Sequence, residues 1–172
     1  TETLDDVAGI AQVGQRVVDE FYRLPDRPKG KGVQVNISAS SFVPKPFTPF
    51  QWEPQDTRAQ LEEKQAHLLG SVTTKKIKIS THLSQSSFME GVLARGDRRL
   101  SRVIELAWQK GCKFDSWDDQ FKFDLWMEAF DEAGLDPAFY ANRRREYDEI
   151  LPWDHLDYGV SKQFLINENK KA

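Results

Sequence analysis

Cysteine occurs once in these 172 residues, at Cys112. A disulfide within the chain is therefore excluded, and so is any metal or iron–sulfur site built from several of its own thiolates. An excess of either charge is also missing: 24 Lys and Arg stand against 27 Asp and Glu, a net charge of −3. No general basic field exists to attract nucleic acid or anionic lipid. No apolar run approaches the length of a membrane span and no stretch reads as a signal peptide, so the cytoplasm is the expected compartment and no membrane partner is expected. Internal repeats and low-complexity tracts are absent as well. What remains has the make-up of a globular chain, 39% hydrophobic and 30% charged. A chain of this size can bury roughly 70% of its unfolded surface without help from a disulfide or a metal. Five Trp and eleven Phe crowd mainly into the second half, as a core or as cover for another domain.

The most informative stretch is 33–52. Val33, Val35, Ile37 and Ala39 alternate with Gln34, Asn36, Ser38 and Ser40, which is the period of a strand with one polar face. Pro44, Pro46 and Pro49 then stiffen an aromatic loop, each fixing its own φ and extending the residue before it. Such a strand and loop suit the last strand of an open β/α barrel at the mouth of its pocket. Upstream, Leu4, Val7, Ile10, Ala11, Gly14, Val17, Val18 and Phe21 predict one amphipathic helix, with Thr3 as its cap. Because the chain opens without Met in what reads as the first turn of that helix, a longer parent protein is expected. Asp56 is expected to cap a second helix carrying Leu61 and Leu68. A second strand follows from about Lys76 to Leu83, placing Lys76, Lys78, Ser80 and His82 on one face.

From Ser84 onward only helices are expected. Ser87 with Glu90 matches a capping box. Leu100, Val103, Ile104, Ala107 and Trp108 form an apolar stripe closed by Gly111, and Phe123, Trp126, Met127 and Phe130 another closed by Gly134. Asp136-Pro137 opens a helix, residues 147–160 are irregular, and Ser161 caps a last short helix. Two strands alone do not make a stable sheet in water. Either they pair within a compact α+β unit, or their neighbours lie in residues beyond this chain; the second is the expectation carried forward.

The opening helix, strand and proline loop together resemble the closing segment of a radical S-adenosylmethionine (radical SAM) barrel. Thr1-Glu2-Thr3 would follow the turn after its fifth strand, and 40–49 would be the loop after its sixth. The runs Phe42-Val43-Pro44-Lys45-Pro46, Thr48-Pro49-Phe50-Gln51-Trp52, 93–99, Phe114-Asp115-Ser116-Trp117, Gly134-Leu135-Asp136-Pro137 and 151–155 are similar to those of a poorly characterised branch of that superfamily with an N-terminal cobalamin-binding-type domain. The resemblance implies an α/β fold. Residues 1–83 would supply the last β/α elements of a partial (β/α)6 barrel, and residues 84–172 a mainly helical C-terminal cap. It also implies an iron–sulfur cluster and S-adenosylmethionine in the full-length protein, leaves cobalamin open as a further cofactor, and makes the missing N-terminal part of the chain its first partner. The superfamily's C-x-x-x-C-x-x-C cluster motif is absent here, so this segment alone is expected to be inactive. The alternative is a non-catalytic module docking RNA or a protein partner.

Each candidate residue has a structural reading beside the functional one. Gln34, Asn36, Ser38 and Ser40 either line a barrel interior, where the resemblance would make them cofactor-binding, or form the solvent face of a half-exposed strand. Lys45 fits a carboxylate or phosphate at the pocket mouth, or simply a rigid surface loop. His82 is a candidate proton carrier, as is His155 if Asp154 orients its ring. The other reading of Trp153-Asp154-His155 is a clasp fixing the C-terminal tail. His67 reads as solvated. Arg95, Arg98, Arg99 and Arg102 form a first guanidinium cluster for phosphate or RNA, and 143–145 a second, with Glu105, Asp148 and Glu149 as competing ion-pair partners. Phe114, Trp117, Phe121, Trp126 and Phe130 are either core or a base-stacking platform. Cys112 reads as buried and unreactive, and no metal site is expected.

Overall fold

The computed structural model describes residues 2–28, 30 and 32–172. Thr1, Lys29 and Lys31 lie outside them, and with Thr1 the expected junction to a fifth strand. Among the described residues the order is α1 (Leu4–Arg23), β1 (Val35–Ala39), α2 (Arg58–Gly70), β2 (Ile77–Thr81), α3 (Ser84–Ala94), α4 (Leu100–Gln109), α5 (Phe123–Glu132), α6 (Pro137–Ala141) and α7 (Lys162–Asn169). The fold is α/β, mostly helical, with one small parallel sheet. Two compact units are present: residues up to Ser41 with Arg58–His82, and Phe42–Thr57 with Leu83–Ala172. Among the described residues no helix is long and apolar enough to cross a membrane.

In the first unit, Thr3 and Asp6 close a reciprocal cap on α1: the Asp6 amide donates to Thr3 Oγ1 at 3.2 Å and the Thr3 amide to Asp6 Oδ2 at 2.8 Å. The buried stripe of α1 is Val7, Ala11, Gly14 and Val18. Ile10 and Val17, expected on that face, stand exposed beside Val13. Gly14 lets the helix lie close on the strands: a Cβ there would sit 2.9 Å from Ile37 Cδ1 and 3.3 Å from Ile77 Cδ1. β1 and β2 run parallel, in register from Val35 with Ile77 to Ala39 with Thr81. Both are shorter than their alternation predicts. Val7, Ala11 and Leu68 pack with Ala39, Val72 and Ile79, so α1 and α2 cover one sheet face. Asn36, Ser38, Lys78 and Ser80 are exposed on the other. α2 starts at Arg58, two residues after Asp56.

The core of the second unit draws Phe88 and Val92 from α3, Val103 and Leu106 from α4, and Trp126 and Phe130 from α5. Ile104 and Trp108, expected in this stripe, are exposed; Leu106, one turn from Val103, takes the inward position instead. The expected capping box at Ser87 does not form. α3 starts three residues earlier, so the Ser87 amide already donates to Leu83 O at 3.0 Å inside the helix. Gly111 at φ +93° and Gly134 at φ +65° close α4 and α5. Asp136 caps α6 with Pro137 in its first turn, and Ser161 caps α7. A second apolar cluster joins Trp52, Leu151, Trp153 and Leu165. It holds 42–57 within this unit, helped by the Gln55 amide on Ala141 O (2.9 Å) and the Arg145 amide on Trp52 O (2.8 Å).

Candidate functional site: a polar sheet face and a buried arginine network

Polar groups gather in two places, one in each unit. In the first unit the parallel register sets Asn36 beside Lys78 and Ser38 beside Ser80 on the exposed sheet face. Ser40 and His82 are exposed just past the two strand ends. Gln34 is exposed and donates to Lys76 O at 3.0 Å, which ties the two strand entrances together. The His82 carbonyl accepts from Gln65 Nε2 at 2.9 Å, while its ring makes no hydrogen bond among the described residues. This face is therefore donor- and acceptor-rich, and β1 and β2 place the groups rigidly.

The second place is built around two buried guanidinium groups. Arg95, at the C-terminus of α3, is 0% exposed, and Arg145 is 2% exposed. Arg95 donates from Nη1 to Ala141 O at 2.6 Å and from Nη2 to Arg143 O at 3.0 Å, closing the C-terminal end of α6. Arg145 answers by donating from Nη2 to Arg95 O at 2.5 Å, with its guanidinium 5.1 Å from the Trp153 ring centre. Arg95 is thus not available as an external phosphate contact: its fork points inward and is spent on two carbonyls. Burial, then the charges of Arg145 and Arg143, push its pKa down to about 10. Burial pushes Arg145 down as well, followed by the charge of Arg143.

Around this pair the arginines are neutralised one by one. Arg99 meets Asp97 at 2.7 Å and lies over the Phe139 and Tyr140 rings. Arg102 meets Glu105 at 2.8 Å, Arg143 meets Glu149 at 2.9 Å, and Arg144 meets Glu53 at 3.3 Å. Arg98, Arg99 and Arg102 are all exposed, but of these only Arg98 has no ion pair among the described residues, so it alone keeps an uncommitted guanidinium for a phosphate grip. Lys45 is paired with Glu90. Asp154 accepts from the Leu151 amide at 3.0 Å and from Lys162 Nζ at 3.3 Å, and does not orient His155, which is exposed. The Trp153 indole donates to Gln51 Oε1 at 2.7 Å. These bonds make 151–155 a clasp. Sequence reasoning missed Gln51, Gln55, Asn142 and Asn169, polar groups that hold this network together, and read Arg145 as part of a surface cluster. Gln51 and Gln55 flank the buried Trp52, which is the signal that was there to read.

The Arg99 hydrogen bond holds Asp97 below its ordinary 3.8, and the Arg143 hydrogen bond holds Glu149 below its ordinary 4.5. A carboxylate depressed on folding contributes stability that is complete above its unfolded value and is lost as pH falls through the folded one. The urea midpoint of the second unit is therefore expected to drop from about pH 5 downward. Glu149→Gln should flatten that acid limb; an unchanged limb would remove this pair from the account.

No group of three or more His, Cys, Asp or Glu is gathered to hold a metal among the described residues. Cys112 is buried, and burial followed by the charge of Asp115 pushes its thiol up, opposite to what a metal-binding or nucleophilic thiolate needs. No protein-family model, curated protein or solved structure matches this chain. The motif runs 42–46, 48–52, 93–99 and 151–155, scattered in sequence, share one hydrogen-bonded and ion-paired unit.

Proposed function

We propose that this chain is the C-terminal portion of a radical SAM iron–sulfur enzyme. It completes the barrel of that enzyme with its last β/α elements and helps to position substrate. One observation carries the reading: a two-stranded parallel sheet whose apolar face is covered by α1 and α2 while its polar face stands open. Parallel sheets occur almost only as members of larger sheets with both faces covered, and two strands alone are marginal in water. Further strands beside β1 and β2 would close the open face into a pocket lined by Asn36, Ser38, Lys78 and Ser80. The exposed Ile10, Val13 and Val17 of α1 fit a neighbouring helix in the same arrangement.

This chain's own residues do not fit an iron–sulfur cluster, since the one thiol is buried and pushed towards its neutral form. The cluster, S-adenosylmethionine and any cobalamin would belong to the N-terminal part of the parent protein, and the segment alone is inactive. Its contribution is binding and shielding. The reading is tested by anaerobic reconstitution of the intact protein followed by an assay for reductive cleavage of S-adenosylmethionine. Cleavage is expected in the intact protein and none in this segment; an intact protein that cleaves nothing under any reductant would overturn it.

A further inference from the structure

The loop 113–121 joins α4 to α5. It is tied at its root: Lys122 Nζ donates to Gly111 O at 3.0 Å, and Cys112 Sγ lies 4.0 Å from Lys122 O. Its interior is braced by the Trp117 amide on Phe114 O (3.0 Å) and the Gln120 amide on Trp117 O (2.8 Å). Phe121 at its far end packs on the helical core. A short loop closed on itself in this way is a common vehicle for function. Yet its two largest side chains face solvent: Phe114 is 73% exposed and Trp117 67%.

Phe114 also sits at φ +60°, a left-handed conformation that a bulky residue rarely adopts. The chain accepts that backbone cost for a ring that stays largely exposed. Strain kept at an exposed ring points to a contact made outside. The charge of the loop says which kind. One lysine, Lys113, stands among three aspartates, Asp115, Asp118 and Asp119. Asp118 and Asp119 are exposed, while Asp115 Oδ1 is enclosed and receives no hydrogen bond among the described residues.

We propose that this loop docks a protein segment that carries arginine or lysine beside apolar residues. Phe114 and Trp117 offer faces for the apolar groups and for a cation over the ring, while the exposed Asp118 and Asp119 receive the cationic heads and Asp115 adds its negative charge. Nucleic acid is disfavoured by the same three carboxylates, which repel phosphate. The inference uses the second unit alone, so its failure leaves the barrel reading standing.

The test is a random dodecapeptide display library panned on the whole chain, with a Phe114→Ser/Trp117→Ser variant in parallel. Both residues are exposed, so the variant should fold, as circular dichroism checks. Peptides rich in Arg or Lys next to apolar residues are expected, bound about tenfold more weakly by that variant. They should also bind more weakly to Asp118→Asn/Asp119→Asn, and lose affinity as salt rises. No enrichment, neutral or acidic peptides, or peptides that bind the variants as well as the parent chain would each overturn the proposal. So would an oligouridine that binds the chain and is lost in the aromatic variant, which would make the loop a base-stacking platform instead. If the aromatic variant does not fold, the salt series and the aspartate variant decide alone.

Discussion

Trp52→Ala is expected to cost about 3–5 kcal/mol of folding stability, which for a unit of this size is a fall in melting temperature of more than about 10 °C. Trp52 is 0% exposed and packs with Leu151, Trp153 and Leu165. Its ring also meets Tyr147 edge-on, with centres 5.1 Å apart. The substitution leaves the Trp52 carbonyl in place, so the bond from the Arg145 amide persists and the loss isolates the ring. What the ring holds is the irregular segment 147–160 and α7, which have little regular structure of their own to fall back on. Hydrogen exchange should therefore accelerate first in 147–172 and only later in α4 and α5. A Trp52→Phe variant fills part of the volume and should cost less than half as much. A loss below about 1 kcal/mol in Trp52→Ala would mean that the second cluster is an accessory to the unit and not one of its supports.

That cluster marks the limit of what the residues reveal in order. Local signals were legible: the Thr3 cap, the Asp136-Pro137 start, the Ser161 cap and the positive-φ glycines Gly111 and Gly134 each act within a few residues, where backbone chemistry decides. Alternation located both strands and the face of each residue. Its ends were overextended, because the pattern continues past the last ladder bond at Val35 and Thr81. Periodicity was less reliable wherever a helix is apolar on more than one side. Ile10, Val17, Ile104 and Trp108 have the right spacing for a core, and nothing local distinguishes them from Val7 or Leu106.

The arginines were the hardest to place. Arg95, Arg98, Arg99 and Arg102 read as one basic surface, yet one turns inward and two are paired. What draws Arg95 inside is a pair of carbonyls, at Ala141 and Arg143, more than forty residues away in sequence. No local rule can see a partner at that distance. The same holds for the sheet. β1 pairs in parallel with β2 across a helical crossover, and neither strand's own residues name that partner.

Arg95→Ala is expected to cost about 3 kcal/mol, because it withdraws hydrogen bonds from the Ala141 and Arg143 carbonyls and leaves a cavity at a fully buried position. Ala141 O keeps its bond from the Gln55 amide, so the sharper loss falls on Arg143 O. The charge works in the opposite direction. Arg95 lies near Arg145 with no carboxylate hydrogen-bonded to it among the described residues, and burial with that neighbouring charge lowers its pKa to about 10. Removing it should relieve Arg145, so part of the hydrogen-bond loss is offset. Three substitutions separate these contributions in urea unfolding. Arg95→Lys keeps the charge and loses the planar fork, so it should remain nearly as damaging as alanine. Arg95→Met fills the volume without the charge and should cost least. Arg98→Ala, on the exposed side of the same turn, should stay within about 0.5 kcal/mol of the parent. If lysine restores the stability and methionine does not, the positive charge itself is what the site requires, and a counter-charge must reach Arg95 and Arg145 from outside the set of carboxylates now paired around them.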